Sequence, residues 1–265
     1  MRRTRAAMTD IRLICASNDA AILRANLMRS DAVAQWPLSV IENASSAASA
    51  YNRGLDESAE PLLVFLHHDV YLPPGWEHLL QQRIAEVAAM DPDWALIGAY
   101  GVDEAGRGYG PVWSSSLGQI VGAVPLAPRA VQSFDELLIV MRRASGLRFD
   151  ADLPGWHLYG TDIVTQARAQ GLGAYACALP LVHNDGYKDQ LDQGFGAAYG
   201  YLQRKWAARL PLRSPVIKIS RTGHQLWRAR WHNIRSRDIR QGMAVDTALD
   251  PVAIAAACGW TRVAP

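Results

Sequence analysis

The sequence is short of cysteine, and that shortage sets the first limits. Its three cysteines, Cys15, Cys177 and Cys258, are an odd number at wide spacing. They have no metal-ligand spacing and cannot all pair within the chain, so a reducing compartment is expected. No apolar stretch reaches the roughly 18 residues of a membrane span. The basic N-terminus MRRTRAAMTD is followed by IRLICAS, too short an apolar run for a signal-peptide core. No Gly-x-Gly-x-x-Gly follows the first expected strand, which disfavours a dinucleotide oxidoreductase. Internal repeats and low-complexity tracts are also missing. A cytoplasmic protein, at most peripheral at the inner face of a membrane, is the expectation.

What is there reads as globular. A chain of 265 residues with 49% hydrophobic and 20% charged residues can fill the core of one large α/β domain. The net charge of +2 hides an uneven distribution: Lys188 to Arg240 holds twelve Lys or Arg against Asp189, Asp192 and Asp238. Trp206, Trp227 and Trp231 interleave with these arginines. Such a segment suits an anionic membrane surface, or else a solvated helical face with its tryptophans packed inward. A nucleic-acid role would rest on this segment alone and is not expected.

The most informative stretch is PLLVFLHHDVYLPPGWEHLL, from Pro61 to Leu80. Leu62 to Leu66 are consecutive apolar residues that fit an interior strand of a mostly parallel sheet. His67, His68 and Asp69 then fall at the strand's carboxyl end, where open α/β sheets form their ligand crevice. The same residues also suit plainer roles, an imidazole packed on the sheet and an aspartate capping a turn. Further strands are expected at Ile11 to Ala16, Leu38 to Ile41, Trp94 to Tyr100 and Ala174 to Val182, with another apolar run at Leu137 to Arg142. Helices are expected at Ala20 to Met28, from Ala44 to a stop at Gly54, from Trp76 to Met90, and from Asp162 to Gln170. This alternation predicts a parallel, helix-flanked sheet. Gly101 to Val124 breaks it with a Gly- and Ser-rich segment of the kind that forms a lid or substrate wall.

In order, IRLICASND, LSVIEN, SAYNRG, VFLHHDVYLPPGW, FDELLIVMRR and GWHLYGTDIVTQARAQGLGAYACALPLVHNDG resemble the GT-A fold glycosyltransferases related to the bacterial family 2 group. The resemblance spans roughly Ile11 to Gly186 and lies in order and spacing. It implies a Rossmann-like, mostly parallel α/β domain over residues 11–186, between a basic N-terminal tail at 1–10 and a basic, mainly helical extension at 187–265. The implied function is transfer of a sugar from a nucleoside diphosphate-sugar, UDP favoured, to a saccharide or lipid-linked acceptor hydroxyl. Inversion is implied because the group inverts, and bacterial surface polysaccharide or glycoconjugate synthesis is the implied setting.

The resemblance also assigns residues. Asp69 matches the last aspartate of the group's Asp-x-Asp motif and would hold a divalent cation, Mn2+ or Mg2+. The first motif aspartate is replaced by His67, whose softer nitrogen would favour Mn. His183 would be a third ligand or would contact the diphosphate, and His68 beside them would contact the nucleotide donor. Asn18, Asp19 and Glu42 would contact base or ribose, or else form turns. Asp135 and Glu136 match the donor-sugar segment, although an acidic pair also suits a helix start. Trp113 would stack on a sugar or fill a cavity under the loop. Asp162 is the nearest match to the catalytic base, with His157 second. In an alternative registration Gly160 takes the base position and Asp162 caps the helix. Two rival readings remain: a metal-dependent hydrolase built on His67, His68, Asp69 and His183, and a non-catalytic nucleotide-sugar-binding protein.

Overall fold

A computed structural model of the chain describes residues 10–187 and 191–264. Residues 1–9 of the basic tail, and Lys188 and Asp189 of the basic segment, lie outside the described residues. The centre is a seven-stranded sheet in the order Arg129–Ala130, Gly173–Ala176, Trp94–Gly98, Leu138–Arg142, Leu62–His67, Ile11–Ala16, Leu38–Ile41. Five of these strands run one way. Leu138–Arg142 is antiparallel to both of its neighbours, and Arg129–Ala130 is antiparallel at the edge. The sheet is therefore mostly parallel, as the alternation predicts, with one reversed strand that the apolar run Leu137 to Arg142 did not announce.

The Leu62–His67 strand is apolar up to Leu66 because both of its faces are covered. Leu63 and Phe65 enter the core shared with helices Ala47–Asp56 and Tyr159–Ala169, while Val64 and Leu66 enter the core shared with helix Trp76–Met90. Successive side chains of a strand point to opposite faces, so a continuous apolar run marks a central strand with helices on both sides. Helix Ala47–Asp56 passes through Gly54 instead of stopping there. A Cβ at Gly54 would lie 2.4 Å from Ile14 Cγ2, so this glycine lets the helix sit close against the sheet.

The segment expected as one strand from Ala174 to Val182 divides into two. Gly173–Ala176 belongs to the central sheet, whereas Leu181–His183 joins a small sheet in the order Val70–Tyr71, Leu181–His183, Val112–Ser114, Gln119–Val121. That division positions the site. His183 pairs with Val70, and the Asn184 N–H donates to the Asp69 carbonyl at 2.8 Å, so His183 is carried next to Asp69. The variable segment after Gly101 supplies two strands of the same small sheet. From Leu191 onward the chain packs Phe195, Tyr199, Leu202 and Ile219 into the core that holds Ile14 and Phe65, so these residues share one packed body with the sheet.

Candidate functional site

The carboxyl ends of Ile11–Ala16, Leu38–Ile41 and Leu62–His67 open into a cavity of about 1060 Å³. His67, His68, Asp69, His183, Asp135, Glu136 and His157 all line it, together with Asn18 and Glu42 at its exposed rim. The structure thus brings most of the residues singled out in the sequence into one space.

His67, Asp69 and His183 form its floor, with one ligating atom from each within 4.8 Å of the others. His183 Nε2 lies 3.4 Å from Asp69 Oδ1, and His67 Nδ1 lies 3.9 Å from the same oxygen. The Tyr159 hydroxyl donates its proton to the Glu136 carbonyl at 2.9 Å, so at 2.9 Å from His67 Nε2 it acts as acceptor. That assignment protonates Nε2 and turns the Nδ1 lone pair toward Asp69, the tautomer a metal ligand needs. On the other side, His183 Nδ1 faces Asp185 at 3.9 Å. Burial alone would lower the His183 pKa, but Asp69, Asp185 and Asp135 together hold it up at about 9. His68 turns away, with its Nδ1 3.0 Å from the Ser17 hydroxyl. Two imidazoles and a carboxylate, each imidazole steadied by an outer partner, make a donor set that suits a divalent transition ion such as Mn2+ better than Mg2+.

One wall is carboxylic. Glu136 is pushed up to about 8 by burial and then by the adjacent Asp135, and Asp135 is itself raised by burial. The Gly160 N–H donates to Glu136 Oε1 at 3.3 Å, and the Leu137 N–H to Asp135 Oδ1 at 3.4 Å. A cavity-facing acid that titrates near neutrality has the protonation range of a general base or acid. His157 sits on the wall against Phe195, its pKa lowered by burial and partly restored by Asp192, 3.6 Å from its Nε2.

Three assignments change. Asp162 does not line the cavity: buried on the outer side of its helix, it accepts from Lys205 Nζ at 2.7 and 2.8 Å. It also accepts from Trp206 Nε1 at 2.7 Å and Gln166 Nε2 at 2.7 Å. An ion-paired carboxylate with these donors is not positioned to take a substrate proton. Asp19 caps helix Ala20–Ala25, accepting from the Ala21 and Ile22 N–H groups at 2.8 and 3.1 Å. Trp113 packs with Tyr71, Val182 and Ile254 beneath the small sheet, so it fills a gap and does not face the cavity. Cys15 and Cys177 are buried with thiols pushed up to about 12, which makes them inert.

Asp185 and Tyr159 were not picked out from sequence; the Tyr159 hydroxyl bonds to His67, and Asp185 lies 3.9 Å from His183 Nδ1. For Asp185 a signal existed, because His183-Asn184-Asp185 places two titratable side chains two residues apart at a strand end. Asp185 also fastens the segment after Val112–Ser114, accepting from the Ser116 N–H at 3.0 Å.

No protein-family model matches the chain. It is 29% identical over 130 residues to "ATP synthase subunits region ORF 6" of Fuscovulum blasticum, a match to 46% of this chain and 50% of that protein. The chain thus spans about half the length of the curated relative it matches. Among solved structures it is similar to the mannosyltransferase PcManGT from Pyrobaculum calidifontis, a complex with GDP-Man and Mn2+. The TM-score is 0.47 at 15% identity, covering 94% of this chain and 76% of that one. A second similar structure is A197 from STIV, with TM-score 0.42 and 12% identity over 65% of this chain and 83% of that one.

Proposed function

We propose that this chain is a glycosyltransferase that moves a sugar from a nucleoside diphosphate donor to an acceptor hydroxyl. The observation that carries the reading is the pairing, in one cavity, of a His-Asp-His group on the floor with a near-neutral carboxylic acid on the wall. Glu42, Asp69, Asp135 and Asp185 line the cavity with Glu136, and Arg240 is the only lysine or arginine in the lining among the described residues. A cation held among these carboxylates would screen them from the donor's diphosphate. His67, Asp69 and His183 are the residues that would hold it. When bound, that ion would supply charge neutralisation for the departing diphosphate.

The base is assigned to Glu136. At Gly160, the alternative base position of the resemblance, a Cβ would lie 2.6 Å from the Phe134 carbonyl oxygen and 3.2 Å from Glu136 Cγ. Any side chain there is excluded, and the Glu136 carboxyl occupies the space from the neighbouring segment. In the reaction the acceptor oxygen bonds to the anomeric carbon as the bond to the diphosphate oxygen breaks, and the hydroxyl proton passes to Glu136. Inversion follows if base and leaving group lie on opposite sides of the sugar. Asn18 and Glu42 at the rim suit contacts to base and ribose, and a UDP-sugar stays the favoured donor. A saccharide or lipid-linked acceptor in bacterial surface glycoconjugate synthesis, within the cytoplasm, is the setting consistent with the sequence.

The test is a thermal-shift screen with UDP, GDP, CDP and dTDP, each with Mn2+, Mg2+ or EDTA. A metal-dependent rise for one nucleotide is expected, and Asp69→Ala abolishes it. No shift with any nucleotide, combined with a shift with metal alone, would overturn the reading in favour of the hydrolase.

A further inference from the structure

The chain from Arg221 to Met243 carries a surface that the transferase reading does not use. Helix His224–Arg235 buries none of its residues fully. Its inward side rests on the core through Leu226 and Ala229. Arg230 pins it further, donating to the carbonyls of Leu191 at 3.0 Å and Asp192 at 2.6 Å. Outward stand Trp227 and Trp231, one turn apart, with ring centroids 6.5 Å apart and planes at 7°. Ile234 follows Trp227 and Trp231 at helical spacing, and Ile239 stands exposed on the following helix Arg237–Met243. These four are 68%, 52%, 69% and 68% exposed, values unusual for large apolar side chains on a folded body.

The rim of the patch is basic. Arg221, Arg228 and Arg235 are exposed, and the Arg235 guanidinium sits 4.5 Å from the Trp231 ring centre. Between Arg221 and Met243 there are six arginines and one acidic residue, Asp238. A second copy of the chain would bring like charges together. A nucleic acid would accept the indoles and guanidiniums but gain little from Ile234, Ile239 and Met243. An anionic bilayer matches all of them: indoles and aliphatic side chains enter the interfacial region while guanidiniums meet lipid phosphates.

We propose that the helix pair His224–Arg235 and Arg237–Met243 is a docking surface for an anionic lipid bilayer. Among the described residues no helix is long and apolar enough to cross a membrane. The same segment reaches the cavity from its other side, through Ala229, Asn233 and Arg240. Docking therefore holds the cavity rim beside the lipid. One consequence, which rests on the transferase reading, is that the acceptor is lipid-linked and reaches the cavity from the bilayer.

The test is co-sedimentation of the full chain with vesicles of phosphatidylcholine alone and of phosphatidylcholine mixed with phosphatidylglycerol. The protein is expected to pellet with the anionic vesicles, less so as salt rises, and to stay in solution with the neutral ones. Trp227→Ser/Trp231→Ser and Arg228→Glu/Arg235→Glu should each lower the partition coefficient by at least about tenfold. All four positions are exposed, and an unchanged melting temperature confirms that both variants fold. Wild-type protein left in the supernatant with anionic vesicles, or variants that pellet like wild type, would overturn the proposal. Tight binding to a single-stranded oligonucleotide without vesicle binding would assign the surface to nucleic acid. The assay needs no nucleotide, so its failure leaves the transferase reading standing, and absent nucleotide binding leaves the docking surface standing.

Discussion

The helix Tyr159–Ala169 has a carboxylate on each side, and the two sides treat it in opposite ways. On the outer side Asp162 is clasped by Lys205, Trp206 and Gln166, all within 2.8 Å. On the inner side Glu136 accepts from the Gly160 N–H and is pushed up to about 8. The outer carboxylate is held by its donors and works as structure. The inner one sits between protonation states and faces open space. What separates them is the partners that the rest of the chain supplies, not distance from the helix start.

The sharpest way to break this comparison is to neutralise each acid and read turnover. Glu136→Gln keeps the shape and the bond from Gly160 but removes the base. It should lower transfer by roughly 10²–10⁴-fold while nucleotide binding persists. Asp162→Asn should change turnover only a few-fold in the fraction that stays folded. If the two results exchange places, the base is Asp162 after all and the helix must rotate in the working enzyme.

Stability is the second reading, and there the order of the two sites reverses. Asp162→Ala leaves the Lys205 ammonium beside a void, with Asp150 at 2.6 Å as its remaining carboxylate. Removing one partner of a buried pair costs about 3–5 kcal/mol, less here to the extent that Asp150 compensates. Urea unfolding should register that loss. Glu136→Gln should leave the midpoint nearly in place or raise it. A midpoint for Asp162→Ala within error of wild type would mean that the Lys205 cluster is not holding the helix to Gln193–Lys205.

The difference between these carboxylates was beyond the sequence, and the reason is distance along the chain. The strands Ile11–Ala16, Leu38–Ile41 and Leu62–His67 and the helix Trp76–Met90 were legible, because apolar runs and Pro-Gly punctuation are local signals. So was the placing of His67 and Asp69 at a strand's carboxyl end, whereas His183 reaches them on the small sheet, through its pairing with Val70. The reversed direction of Leu138–Arg142 was not, because a strand buried on both faces reads the same either way. Nor was the division of Ala174 to Val182 between two sheets, which depends on pairing with Val70 and Val112. The pairing of Asp162 with Lys205, 43 residues later, is invisible to any local pattern. Glu136 was noted only for the donor sugar, because the space at Gly160 exists only once Phe134 is packed there.

The smallest effect is the pH dependence of stability, which sets Glu136 against a third acid, Glu60. Glu60 is held down to about 2 by its hydrogen bonds from Arg12, at 2.9 and 2.7 Å, against the opposing pull of burial. Its folded pKa lies below the ordinary 4.5, so its contribution is complete above about pH 4.5 and is lost as pH falls toward 2. For Glu136 the sign is opposite. Its folded pKa of about 8 lies above 4.5, so the folded state holds a proton that the unfolded state releases, and stability falls as pH rises from 4.5 to 8. His183, raised from 6.5 to about 9, adds a further decline between about pH 6.5 and 9 in metal-free protein. Unfolding free energies measured in EDTA from pH 3 to 9 should therefore rise on the acid side and decline on the alkaline side. The wild-type minus Glu136→Gln difference isolates one acid: it should slope downward between about pH 4.5 and 8 and be flat below. A flat difference throughout would mean that Glu136 ionises as an ordinary carboxylate, which would remove the physical basis for making it the base.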